Sequence, residues 1–177
     1  MSKTKAVSNS TPAGPAPCPS CGARLGGRAG CQSAFDQLSA DAWGTPVRGA
    51  VHNLVVDTYA MQHPEEYGRS PKSYAAHVTA LCCGVEHAGD QKLYWAISRW
   101  LDGPAAVEKP PLITRRGSLT IADVYAAARE DAYADLVRRW AGDVWAAYAD
   151  QQKLARKWLE AVRTHMTSAS KNRRSEG

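Results

Sequence analysis

The sequence predicts an all-α protein, a bundle of about five or six helices with a cysteine-bearing segment on its N-terminal side. Three observations support that class. Alanine is abundant and β-branched runs are scarce. Apolar residues recur every three or four positions through most of the chain, the period of an amphipathic helix. Glycine and proline gather in a few short stretches between these patterns, where they mark the connections. A length of 177 residues fits a single domain and is enough to bury a real core.

Residues 1–16 are rich in Ser, Thr, Pro and Ala and lack an apolar centre, so they read as a disordered leader rather than a secretory signal. Residues 17–166 read as one helical domain whose first part, 17–31, is a knuckle built on Cys18-Pro19-Ser20-Cys21-Gly22 and closed by Cys31. Gly26, Gly27 and Gly30 suggest a flexible loop between them. From Cys31 the spacing of Phe35, Leu38 and Ala42 predicts a helix ending near Trp43-Gly44.

After Pro46 a second helix carries Val51, Leu54, Val55, Thr58 and Met61 on one flank and His52, Val56, Tyr59 and His63 on the next. Proline suits the helix start, where a donor is missing anyway, and Pro64 stops the helix at or before His63. Ser70-Pro71 opens a third, with Tyr74, His77, Val78, Leu81 and Val85 on one face. Asp90 is the expected N-cap of a fourth, with Leu93, Tyr94, Ile97 and Leu101 facing inward.

Gly103 to Gly117 holds three prolines and no periodicity, which predicts an extended segment laid across the bundle. Thr120-Ile121-Ala122-Asp123 has the form of a capping box and opens the helical last third, with a break near Glu130-Asp131. The final helix is expected to run to about His165 through Leu136, Trp140, Val144, Ala147, Gln151, Leu154 and Trp158, which reads as core. Residues 167–177 read as a disordered basic tail.

The net charge is +5, but Lys3 and Lys5 contribute +2 of it and the last ten residues another +2. The folded part is therefore nearly neutral, which disfavours nucleic acid as a partner and leaves a protein partner open. No apolar run approaches the roughly 20 residues that a membrane helix needs. The expected compartment is the cytoplasm, where thiols stay reduced, so the five cysteines read as metal ligands, buried small residues or reactive thiols.

Cys18, Cys21 and Cys31 are the sharpest chemical signal. Thiolates suit zinc, and a C-x-x-C turn plus a third cysteine at a helix start presents three of them. One zinc ion is expected, more readily structural than catalytic, with a histidine, a carboxylate or water as fourth ligand. His52 and His63 are the histidine candidates. They share a helix face but lie roughly 16 Å apart along its axis, so one straight helix cannot offer both to one metal. Either could instead be a hydrogen-bonded histidine between helices.

Asp57 interrupts an apolar helix, and a carboxylate there needs a partner: an arginine or backbone amide if structural, a reacting group if functional. Tyr59, Gln62 and His77 are the other residues of this candidate pocket. Cys83 and His87, four apart, could form a second ligand pair, although a buried cysteine beside an exposed histidine is the simpler reading; Cys82 reads as core.

Taken together, Cys18-Pro19-Ser20-Cys21-Gly22, Gly30-Cys31, His52-x4-Asp57-x-Tyr59-x2-Gln62-His63-Pro64 and His77-Val78-x2-Leu81-Cys82 form an ordered series. It continues through Leu119-Thr120-Ile121-Ala122-Asp123-Val124 and Val144-Trp145-x2-Tyr148 to Arg156-x-Trp158-Leu159. The series resembles the bacterial family DUF5946, across nearly all of the expected domain. The resemblance implies no activity. It does imply a His-His pair in many members where this chain has Gln151-Gln152, a departure that weakens the case for a histidine-rich centre.

Three functional readings follow. The first is a metal-stabilised, non-enzymatic protein with an adaptor or interaction role. The second is a metal-dependent enzyme whose pocket uses His52, Asp57, His63 and His77. The third is a nucleic-acid binder using the knuckle and the basic tails.

Overall fold

A computed structural model describes residues 14–126 and 130–175, so the leader falls almost wholly outside the described residues. The fold is all-α. Eight helices are present among the described residues and no strands, slightly more than the five or six expected. They are α1 (Gly27–Asp41), α2 (Pro46–Gln62), α3 (Pro64–Tyr67), α4 (Pro71–Glu86), α5 (Gln91–Asp102), α6 (Ile121–Tyr125), α7 (Glu130–Ala147) and α8 (Ala149–Ser175). The excess comes from two one-turn helices, α3 and α6, and from a division of the last helix.

α2 and α4 form the centre. α2 packs on α7, α4 and α1, while α4 packs on α8, α5 and α7. Val51, Leu54, Val55, Tyr59 and Met61 of α2 and Tyr74, Val78, Leu81, Cys82 and Cys83 of α4 are buried in one core with Trp140, Val144, Tyr148, Trp158 and Leu159. Proline at the first turn and a side-chain cap start both central helices: Arg48 N–H donates to Thr45 Oγ1 and Ser73 N–H to Ser70 Oγ. Asp90 caps α5 as expected, accepting from Lys92 N–H.

Three boundaries differ from the sequence reading. α1 starts at Gly27, four residues before Cys31, so Cys31 lies one turn inside the helix. Of the glycines that suggest a loop, Gly26 and Gly27 take positive φ at the helix start, whereas Gly30 is there for space: a Cβ on it would fall 1.6 Å from the Leu25 carbonyl oxygen. The long last helix divides at Tyr148, whose N–H is shared between the Val144 and Trp145 carbonyls. Its second half, α8, continues as helix through Ser175, past the end expected near His165.

The segment from Gly103 to Thr120 has no helix and is fastened at both ends. Lys72 Nζ donates to the carbonyls of Leu101 and Gly103. At the far end Arg116 is buried, donating to the Gln62 carbonyl at 3.1 Å and forming a two-pronged ion pair with Glu65. The capping box opens α6, with Ala122 N–H donating to Thr120 Oγ1 and Thr120 N–H to Asp123 Oδ2. Thr120→Ala removes one half of that reciprocal pair and should cost about 1 kcal/mol. Urea unfolding would show it as a lower midpoint at unchanged slope.

Candidate metal centre

The knuckle is shaped by its own backbone. Gly22 takes φ +82°, a conformation that a side chain would oppose. This closes the turn with Gly22 N–H on the Cys18 carbonyl and Cys18 N–H on the Ala23 carbonyl, both at 2.8 Å. The Ala23 amide in turn hydrogen-bonds the Cys21 sulfur. Arg28, in the first turn of α1, reaches Ser20 Oγ at 2.9 Å and Glu66 Oε2 at 2.6 Å, tying the knuckle to α3.

The fourth residue comes from the end of α2. His63 is 1% exposed, and its Nε2 lies 3.5 Å from both Cys18 Sγ and Cys31 Sγ. Its backbone N–H bonds to the Ala60 carbonyl, which frees the Tyr59 carbonyl to take Nδ1–H at 2.7 Å. That bond decides the tautomer: Nδ1 carries the proton and the Nε2 lone pair faces the sulfurs. A ligating histidine held through its other nitrogen in this way is the usual arrangement at metal sites. Tyr59 also stacks on the His63 ring, with centroids 4.0 Å apart, and is backed by Phe35 at 4.1 Å.

Cys21 Sγ lies 3.6 Å from Cys31 Sγ, well beyond a disulfide bond, and all five cysteines are free. The four donor atoms of Cys18, Cys21, Cys31 and His63 lie within 4.8 Å of one another, so the group could hold a metal ion. A tetrahedral zinc with Zn–S near 2.3 Å and Zn–N near 2.0 Å would set S···S at about 3.8 Å and S···N at about 3.5 Å. The 3.5 Å from His63 Nε2 to Cys18 and Cys31 and the 3.6 Å between Cys21 and Cys31 lie near those figures. The hydrogen bond between the two sulfurs, together with burial, pushes Cys21 up to about 12, and the same bond holds Cys31 below the ordinary thiol value.

The other candidates fall elsewhere. His52 is not part of the cluster; its Nδ1 is buried without a hydrogen-bond partner, and its ring faces Trp43. The structural partner that the sequence suggests for Asp57 is an arginine or a backbone amide; its partner is instead His77, whose Nδ1 lies 2.9 Å from Oδ1. Burial pushes the Asp57 carboxyl up, and His77 opposes that shift. Gln62 is fully buried and fully used: Nε2 donates to the Arg116 and Leu119 carbonyls, and Oε1 accepts from Trp140 Nε1. It is a structural clamp. The four residues His52, Asp57, His63 and His77 therefore do not share one pocket, because His63 is turned to the sulfurs and Asp57 to His77.

The Cys83–His87 ligand pair, the less favoured of the two sequence readings, does not form. Cys82, not Cys83, comes together with His87, and Glu86 joins them. Glu86 is already engaged by Trp145 Nε1 and by Arg156, whose hydrogen bonds hold its carboxyl below the usual range. Arg163 lies 3.3 and 3.4 Å from the two ring nitrogens of His87. Two guanidinium groups at a site repel a metal cation. Cys83 instead faces the Asp90 carbonyl.

Among protein families, one model matches residues 16–149, a family of unknown function, DUF5946. The chain belongs to the DUF5946 family. The matched stretch includes all four donors of the cluster and the Asp57–His77 pair. No curated protein and no solved structure matches the chain. Gln151 accepts from the Tyr74 hydroxyl and donates to the Pro111 carbonyl. Gln152 donates to the Trp145 carbonyl and accepts from Arg156.

What sequence reasoning missed is the orienting role of the Tyr59 carbonyl. The signal was present: Tyr59 precedes His63 by four residues, and a helix leaves its last carbonyls without partners.

Proposed function

We propose that the protein is a zinc-stapled helical scaffold with an interaction role, in which one structural zinc ion joins the N-terminal knuckle and α1 to the end of α2. The observation that carries this reading is the convergence of three sulfurs and the lone-pair nitrogen of His63 at tetrahedral spacing. Four protein donors fill a tetrahedron, and a site without an open position suits structure rather than catalysis. Burial agrees: Cys18, Cys31 and His63 are buried and Cys21 partly so. When bound, zinc would supply a cross-link, and this chain's residues supply its orientation. Three free thiols held this close favour a reducing compartment, so the cytoplasm is the proposed location. No helix among the described residues is long and apolar enough to cross a membrane.

A protein partner is the class of contact that the surface favours. Trp43 and Trp95 are 87% and 67% exposed, and tryptophan is enriched at the centres of protein interfaces.

Elemental analysis of the purified chain tests the metal. The expected result is one zinc per chain, resistant to dilution and exchanged for cobalt to give the intense visible bands of a tetrahedral thiolate site. A metal-free protein with the same melting curve before and after added zinc would sink the reading. Cobalt bands of a five- or six-coordinate ion would instead point to an open, catalytic site.

A further inference from the structure

A carboxylate buried in an apolar helix is expensive, and Asp57 is spent on one contact. Its partner His77 is not sealed in. His77 and Asp57 line a cleft of about 350 Å³ between α2, α4 and α5, together with Asn53, Tyr94 and Trp95. An ionised Asp57 accepts from Nδ1–H and so leaves the Nε2 lone pair of His77 as the ring's free acceptor. This is the arrangement of a general base steadied by an acid.

Two further features point to a ligand. The Tyr94 hydroxyl is buried without a hydrogen-bond partner, at residues shared by this cleft and a neighbouring cavity of about 540 Å³. Gly84 makes room for it: a Cβ there would stand 2.8 Å from Tyr94 Oη and 2.5 Å from Leu54 Cδ1. An unpaired buried hydroxyl costs about 1–3 kcal/mol, a cost that a bound acceptor removes. Among the described residues no lysine or arginine lines the smaller cleft, so no permanent positive charge there would hold a phosphate or carboxylate.

We propose that the cleft between α2, α4 and α5 is a general-base site for a small, uncharged substrate, with His77 Nε2 taking the proton, Asp57 positioning His77, and the Tyr94 hydroxyl donating to the oxygen on which charge develops. The proton moves from a C–H or O–H of the substrate to Nε2, and the electron pair left behind moves into the substrate toward that oxygen. No metal takes part, so the site stands apart from the cysteine cluster.

Nitrobenzisoxazole is a suitable probe, because it is flat and uncharged and reacts by proton loss alone. The base takes the ring C–H proton, the C–H pair forms the nitrile, the N–O bond breaks, and a coloured phenolate leaves. The zinc-loaded full chain should convert it with saturation, at least about 100-fold faster than free imidazole at equal concentration. His77→Gln should lose roughly that whole factor. Asp57→Asn should lower kcat at unchanged KM, and Tyr94→Phe should lower it about tenfold, below the roughly 10²–10³ cost of losing a dedicated oxyanion-hole donor. His77→Ala should recover when imidazole is added, which a merely structural role would not allow. His87→Gln should leave the rate unchanged. A wild-type rate no greater than that of free imidazole overturns the proposal, as does full activity in His77→Gln. Should His77→Gln not fold, full activity in Tyr94→Phe together with a non-saturating wild-type rate overturns it too.

Discussion

Cys31→Ser is expected to purify without zinc and to lose at least about 4 kcal/mol of stability, a fall in melting temperature of roughly 8–16 °C for a chain of this size. The reasoning starts from the donor set. Structural zinc sites in small peptides bind with an apparent 10–16 kcal/mol, and that binding energy counts as folding energy when the unfolded chain has no site. Cys31 is central to the cluster: its sulfur lies 3.6 Å from Cys21 and 3.5 Å from His63. Serine preserves the volume of a side chain that is wholly buried, so the loss reports the ligand and not a cavity. Calorimetry with and without a chelator would separate the two contributions. If wild type and Cys31→Ser melt together and both respond to a chelator alike, the sulfur is no ligand.

Gln62→Leu should be among the most damaging single changes away from the cysteines, at roughly 3–5 kcal/mol. Leucine nearly fills the glutamine volume, yet it leaves the Arg116 carbonyl, the Leu119 carbonyl and Trp140 Nε1 without their partner. Each unsatisfied buried group costs about 1–3 kcal/mol, partly offset by the apolar surface that leucine buries. The damage has a location. The Gly103–Thr120 segment would lift from α2, and trypsin would cut after Arg115 or Arg116 in the variant long before it cuts the wild type. Equal digestion rates and equal urea midpoints would show that water replaces the amide at little cost.

Much of the helical order was legible because it is written locally. Thr120 with Asp123, Asp90, and the prolines after Thr45 and Ser70 announce helix starts through chemistry confined to one turn. The distinction between His52 and His63 was legible too, since helix rise alone separates them. Which one meets the cysteines was not. That depends on α2 delivering its C-terminal end to the knuckle, a long-range packing outcome. Asp57 shows the same limit: its partner, His77, lies 20 residues away, and only the packing of α4 on α2 brings them together. The division at Tyr148 carries no glycine or proline. Its cause is tertiary, with the Tyr148 hydroxyl fixed on the Met61 carbonyl at 2.6 Å. Gly30 misled for a different reason, since glycine serves both freedom and close approach, and sequence does not say which.

The cluster also has a direction in time. Its donors stand at positions 18, 21, 31 and 63, ahead of every residue of α4, α5, α6, α7 and α8. As the ribosome extends the chain, the complete donor set leaves the exit tunnel before the later helices that bury α2 have emerged. The knuckle, α1 and the end of α2 thus form the part of the protein that a metal can fasten during synthesis, and the later helices have a pinned edge on which to assemble.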